Sequence, residues 1–224
     1  MKILSIDTST NHFSLALSDD KNVVAEKNVK LIKPLSSSII PSIEQILKKA
    51  KWKLAQVDCF AVGLGPGSFT SLRVGLSTIK GLAYAEGKPV VGVASLDVLA
   101  LGVDQDQGQI CALSDAKRNL VYAAIYIKDK RLERVSDYFL TDIGTVLDRL
   151  KGKTIFTGDG VALFRKDIEK KMNSNAVFAP EKSWYPQARH LTALARPRLQ
   201  KKDFDRIETL VPLYLYPADC QVSK

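Results

Sequence analysis

The stretch Gly63-Leu64-Gly65-Pro66-Gly67-Ser68-Phe69-Thr70-Ser71-Leu72-Arg73-Val74-Gly75 limits what this chain can become more than any other. It follows the apolar run Cys59-Phe60-Ala61-Val62 and precedes a long apolar segment with helical spacing. Strand, glycine-rich turn and helix in that order are the building unit of an α/β protein. Glycines let a backbone approach another group closely, and a helix start offers unpaired N–H groups to an anion. Ser68 and Thr70 are the N-cap candidates there. No Gly-Lys-Ser/Thr follows the glycines, so this is not a P-loop, and a structural turn and a phosphate site both stay open.

The turn signals elsewhere divide 224 residues into two similar halves. Three strands come first, Ile3 to Ile6, Phe13 to Leu17 and Asn22 to Val29, separated by Asp- and Asn-rich turns. A helix over Ser36 to Ala50 carries Ile39, Ile40, Ile43, Ile46 and Leu47 as a one-sided stripe, with Pro41 disfavouring its interior. A second helix over Ser71 to Ala85 has only Arg73 and Lys80 as charges and is apolar on nearly all sides, with Gly75, Ser77 and Gly81 allowing a neighbouring helix close. Such a helix is covered on both sides, by its own domain or by another protein. After a strand at Val90 to Val93 and a helix from Ser95 to Leu101, a polar break runs from Gly102 to Gly108. The pattern then restarts with strands at Ile110 to Leu113, Val121 to Ile127 and Leu132 to Leu140. A helix follows to Leu150, then a strand at Thr154 to Thr157 and a helix from Val161 to Met172. A strand at Ala176 to Phe178 and a helix from Gln187 to Leu199 close the series. This is a duplicated βββαβα outline, the one shared by actin, sugar kinases and heat-shock ATPases. It predicts an α/β protein with an N-terminal lobe over 1–103 and a C-terminal lobe over 104–224.

In that outline a nucleotide lies between the lobes. The residues facing it would be Asp7, Thr8 and Ser9 in the first turn, Gly65, Gly67 and Ser68 in the glycine loop, Asp115 in the matching second turn, and Gly158. Asp7 and Asp115 would hold magnesium, with hydroxyls donating to phosphate oxygens. Asp, Ser, Thr and Gly are also what tight turns use for themselves. His12 and His190 are the only histidines and share no metal-binding spacing; no Ser-His-Asp set and no Gly-x-Ser-x-Gly elbow is present. Cys59, Cys111 and Cys220 show no CxxC spacing, so no zinc site or disulfide framework is expected. No catalytic residue and no metal ligand can be named.

Net charge is +9, which permits attraction to nucleic acid, and much of it comes late, in Arg165, Lys166, Lys170, Lys171, Arg189, Arg196, Arg198, Lys201, Lys202 and Arg206. Aromatic residues are not interleaved with these cations, which argues for solvated helix faces over specific RNA binding by this chain alone. Polar residues return too soon after Met1-Lys2-Ile3-Leu4 for a signal peptide, and no apolar run approaches the roughly 20 residues that cross a bilayer, so the expected location is the cytoplasm.

Ile3-Leu4-Ser5-Ile6-Asp7-Thr8-Ser9 together with Gly65-Pro66-Gly67-Ser68-Phe69-Thr70-Ser71-Leu72-Arg73-Val74-Gly75 resembles the TsaB (YeaZ) family of tRNA threonylcarbamoyladenosine biosynthesis. Weaker matches follow in order: Ala94-Ser95-Leu96-Asp97, Asp115-Ala116-Lys117-Arg118, Gly158-Asp159-Gly160 and Val211-Pro212-Leu213-Tyr214-Leu215. The resemblance implies a non-catalytic subunit that binds and activates a TsaD-like transferase, which carries a His-x-x-x-His metal motif absent here. It implies pairing through the helices at 36–50 and 71–85, making Ile39, Ile43, Leu47, Leu72, Leu76, Ile79 and Ala83 the interface candidates. A TsaE-like ATPase in the assembly, indirect contact with tRNA, ATP or ADP with magnesium at the complex interface, and a homodimer when the partner is missing are implied as well. The chain departs from the family at Leu35-Ser36-Ser37, where His-Ser-Glu is usual, and at Ser71, usually glycine. The competing reading is a stand-alone ATP-dependent kinase or ATPase built on Asp7 and Asp115.

Overall fold

The computed structural model describes residues 1–104 and 108–216; Gln105 to Gln107 and the stretch from 217 onward, with Cys220, lie outside them. The chain begins with β1 (Lys2–Asp7), β2 (His12–Asp19), β3 (Asn22–Lys30), α1 (Leu35–Ala50), β4 (Cys59–Gly63), α2 (Phe69–Glu86), β5 (Val90–Val93) and α3 (Ser95–Leu101). The second half runs β6 (Gly108–Asp115), β7 (Val121–Lys128), β8 (Leu132–Arg134), β9 (Phe139–Thr141), α4 (Ile143–Asp148), β10 (Thr154–Thr157), α5 (Gly160–Met172), β11 (Ala176–Phe178) and α6 (Ala188–Gln200). The sheets are ordered β3-β2-β1-β4-β5 and β8-β7-β6-β10-β11, so the two halves have one topology. In each, the hairpin strands pair antiparallel and the crossover strands pair parallel.

The single strand expected over 132–140 is two short strands. β8 pairs with the end of β7 and β9 with its beginning. Between them Ile125 is paired half by backbone and half by a side chain: its carbonyl accepts the Val135 N–H at 2.9 Å, while its N–H donates to Ser136 Oγ at 2.9 Å, where the chain leaves the ladder. Helix α1 runs through Pro41, which sits on its exposed side.

Strand alternation assigns the two faces of each sheet. In the first sheet Leu4, Ile6, Leu15, Phe60 and Val62 face α1 and α2, while Ile3, Cys59, Ala61 and Val91 face α6. In the second, Cys111, Leu113 and Phe156 face α4 and α5, while Ile110, Ala112 and Tyr126 face α3. Each half therefore lends its last helix to the other: α3 covers the second sheet and α6 the first. Burying Leu191 and Leu199 of α6 against the first sheet contributes about 1.5–3 kcal/mol each. A cut between residues 103 and 104 consequently does not give two self-covered lobes. Among the described residues, no helix is long and apolar enough to cross a membrane.

Candidate functional site

In open α/β sheets, ligands approach the carboxyl ends of the parallel strands. In the first lobe those ends, from β1, β4 and β5, meet in a knot of the chain's own polar groups. Asp7 is buried and accepts three hydrogen bonds, from Ser95 Oγ at 2.6 Å, Ser9 Oγ at 2.7 Å and Ser9 N–H at 2.9 Å. Burial raises its carboxyl above the usual 3.8, although the Ser95 and Ser9 donors pull the other way. Ser95 Oγ also accepts the Gly65 N–H at 3.1 Å, which ties the glycine loop to the start of α3.

The glycines are used for close packing within the chain. A Cβ on Gly63 would stand 2.0 Å from Asp7 Oδ2, and one on Gly75 would stand 2.3 Å from Thr8 Oγ1. On Gly67 it would stand 2.1 Å from the Ser9 carbonyl oxygen. That same carbonyl accepts the Ser68 N–H at 2.7 Å, so a donor at the start of α2 that was a candidate for an anion is satisfied by the β1–β2 turn. Thr8 Oγ1 donates to the Ser71 carbonyl at 2.9 Å, and the Ser68 and Ser71 hydroxyls are 3.1 Å apart. Thr8, Ser9 and Gly65 are buried with Asp7, Gly67 is half-buried and Ser68 is exposed. Magnesium and phosphate do not fit between the Asp7 turn and the glycine loop in this arrangement, because Ser9 and Ser95 occupy the carboxylate and the loop rests on Ser9.

The second lobe repeats the device. Asp159 Oδ1 accepts Ser114 Oγ and the Asp115 N–H, each at 3.0 Å, and burial raises the Asp159 carboxyl. A Cβ on Gly158 would stand 1.9 Å from the Leu113 carbonyl, and its φ of +106° is a conformation that suits glycine. Asp115 is half-buried, pairs with Lys117 and accepts the Lys117 N–H at 2.8 Å.

Between the lobes runs the segment 181–187. Thr157 Oγ1 donates to the Ser183 carbonyl at 2.8 Å, the Tyr185 ring lies 3.7 Å from the His12 ring, and the Ala188 N–H donates to Ser14 Oγ at 2.7 Å. Burial and then the charge of Asp159 push the Tyr185 phenol up, and its ring packs against the core of the second lobe. Beside it lies an open cleft of about 510 Å³ whose lining includes His12, Asn28, Lys182, Tyr185 and Arg189. Sequence reasoning missed Tyr185 and reached Ser95 only as part of a motif; a serine at a helix start reads as a cap, and its reach to Asp7 spans 88 residues.

The seven interface candidates are corrected by their burial. Ile39, Ile43, Leu47, Leu72, Leu76, Ile79 and Ala83 are each at most 8% exposed. All but Leu72 belong to the core that α1 and α2 form on the first sheet. The reason is geometric: a stripe at i, i+4, i+7 and i+11 is the face a helix turns to the body beneath it. Gly75 serves that packing too, against Thr8, whereas Gly81 has nothing within 4 Å of a built Cβ and faces outward. Leu35, one of the departures from the family pattern, is itself a core position at the start of α1.

The outer surface of the same helices is different. Among positions 69–85, Phe69, Thr70, Arg73, Ser77, Gly81, Tyr84 and Ala85 are exposed, and Arg73 is their one charge. Tyr84 is 81% exposed, Phe69 54% and, on neighbouring α1, Ile40 42%.

A family model described as TsaD, tRNA N6-adenosine threonylcarbamoyltransferase, matches residues 30–222. The tRNA threonylcarbamoyladenosine biosynthesis protein TsaB of Bacillus subtilis is 29% identical over 100% of this chain and 97% of its own. YeaZ from Pseudomonas aeruginosa superposes with a TM-score of 0.80 at 24% identity, over 96% of this chain and 99% of that one. Component A of (R)-2-hydroxyglutaryl-CoA dehydratase from Acidaminococcus fermentans superposes at 0.54 and 12% identity, over 89% and 99%. The two structures are similar in fold, the two-lobed actin-like α/β outline.

Proposed function

The chain belongs to the TsaD family and, within it, to the TsaB (YeaZ) group, and on that premise we propose that it is a non-catalytic accessory subunit in the formation of threonylcarbamoyladenosine in tRNA. It binds a TsaD-like transferase and favours that partner's active arrangement. The observation that carries this reading is the outer face of α2 beyond Arg73: Ser77, Gly81, Tyr84 and Ala85 are exposed with no charge among them, and the Ser77-x-x-x-Gly81 step lets another helix approach. A soluble chain exposing such a face gains by covering it. The same face supports self-association when the partner is absent. A TsaE-like ATPase joins the assembly, tRNA is reached through the complex, and ATP or ADP with magnesium belongs to a joint between subunits. The cytoplasm is the compartment that suits these partners.

The test is product formation on tRNA in a reconstituted reaction with the chain supplied or omitted. Product only when the chain and the transferase are both present is the expected result; equal product without the chain would sink the reading. Gly81→Arg and Tyr84→Glu, which alter exposed positions, are expected to stay folded and lose co-purification with the transferase by more than about tenfold, as a charge is desolvated in an apolar contact. Nucleotide turnover by the chain alone that disappears in Asp7→Asn would instead support the kinase reading.

A further inference from the structure

Phe69 and Tyr214 lie far apart in sequence, yet their rings meet at the surface with centroids 5.5 Å apart. Arg73 joins them: its guanidinium carbon lies 3.7 Å from the Phe69 ring centroid, and its Nε–H donates to the Tyr214 hydroxyl at 2.9 Å. Tyr214 sits in a C-terminal segment anchored beside the glycine loop, where the Leu213 N–H donates to the Leu64 carbonyl at 2.8 Å. Two residues on, the Tyr216 hydroxyl donates to the Ala116 carbonyl at 2.7 Å, in the other lobe. Two residues of chain span at most about 7 Å, so this segment ties the aromatic–arginine cluster to Ala116, the residue just before the exposed part of the β6–β7 turn.

That turn is strained. Lys117, Arg118 and Asn119 are three consecutive non-glycine residues with φ of +64°, +52° and +62°, a region L-residues avoid. The Lys117 N–H bond to Asp115 Oδ1 and the Leu120 N–H bond to the Lys117 carbonyl, at 2.9 Å, hold it there. The result is a turn whose three side chains are all exposed. Strain that a fold maintains at a surface turn points to use of that turn.

We propose that Phe69, Arg73, Tyr214, Lys117 and Arg118 form a site for a single-stranded RNA segment, the cations taking phosphates and Tyr214, 44% exposed, stacking a base. RNA as the polyanion rests on the role in tRNA modification proposed above; the pairing of exposed rings with cations does not. A duplex keeps its bases stacked inside and offers no base to a surface ring, and an acidic peptide has none. Helix α5 is the competing basic surface. Its nearby ring, Phe178, is half-buried and covered by Arg165, whereas Tyr214 is exposed; ion pairing does not separate the two surfaces, because Lys117 is paired with Asp115 as Arg165 is with Glu169.

The experiment is a fluorescence-anisotropy titration of the full chain with a labelled mixed-sequence RNA strand of about 12 nucleotides, repeated across salt concentrations. A DNA duplex of equal length and an acidic peptide serve as competitors. Tyr214→Ala is expected to weaken binding about tenfold without changing the salt slope, and Tyr214→Phe to stay within about threefold, because stacking needs the ring and not the hydroxyl. Arg118→Glu and Arg73→Gln are expected to flatten the slope by about 0.7 for each phosphate no longer neutralised, while Lys166→Glu with Lys170→Glu leaves it unchanged. Binding no tighter than to the duplex or peptide overturns the proposal, as does a weakening confined to the α5 variant. RNA binding abolished while modification still depends on the chain would sink this site alone. RNA binding kept while modification proceeds without the chain would sink the accessory role alone.

Discussion

A methyl group added at Gly67 would stand 2.1 Å from the Ser9 carbonyl oxygen, whereas at Gly81 it would meet nothing within 4 Å. The two glycines lie on the same loop and helix and answer to different constraints. Gly67→Ala is expected to cost about 2–4 kcal/mol, since backbone must shift on both sides. Gly81→Ala is expected to add about 0.5–1 kcal/mol by removing glycine from a helix interior. Urea midpoints of the two variants check this, and equal midpoints would count against the packed loop. Asp7 provides a test in pH. Burial holds its folded-state pKa above the unfolded value near 3.8, so the folded state keeps the proton longer. The stability tied to this group is therefore complete below the unfolded value and is lost as pH rises through the folded one. Relative to Asp7→Asn, the wild-type chain should lose stability with rising pH above about 3.8; a pH-independent difference between their urea midpoints would refute the assignment. Asp and glycine at these turns were legible in the sequence, but whether they faced a ligand or each other was not, because turn chemistry and phosphate chemistry use the same residues.

At the scale of elements, α2 shows how far a hydrophobic pattern carries. Its stripe at positions 72, 76, 79 and 83 is readable from spacing alone, but the last three are covered by the chain's own first-sheet core and Leu72 by the glycine loop at Gly65. What remains for a partner is the opposite side, where apolar character is thinner and comes from Gly81, Tyr84 and Ala85. Helix α3 is held by a different device. Asp97 accepts the hydroxyls of Tyr126 at 2.7 Å and Tyr138 at 2.8 Å, fastening the helix to β7 and to the excursion that splits the expected strand. Burial drives both phenols well above their ordinary range, which keeps them as donors. Asp97→Ala leaves two hydroxyls short of a partner and is expected to cost about 2–4 kcal/mol, against about 1 kcal/mol for Tyr138→Phe. Thermal or urea unfolding would show it; a destabilisation no greater than that of Tyr138→Phe would mean that Asp97 does not clamp the helix.

The whole molecule is held by exchange. Because α6 covers Ile3, Ala61 and Val91 of the first sheet, residues 1–103 by themselves leave one face of that sheet bare. A fragment of that length is expected to aggregate or to melt without a cooperative transition, as followed by circular dichroism against urea. Cooperative unfolding of the isolated fragment would show that the first half needs no help from the second. The order of strands, turns and helices was determined by the sequence itself, since side-chain period and turn residues act within a few positions. The repetition of that order then implied the two-sheet outline. Tertiary structure decided what fills the glycine loop, which side of α2 is free, and that Arg73 meets Tyr214 across 141 residues. Those outcomes depend on which surfaces are brought together when the sheets close on their exchanged helices, and local preference carries no information about contacts made at that range.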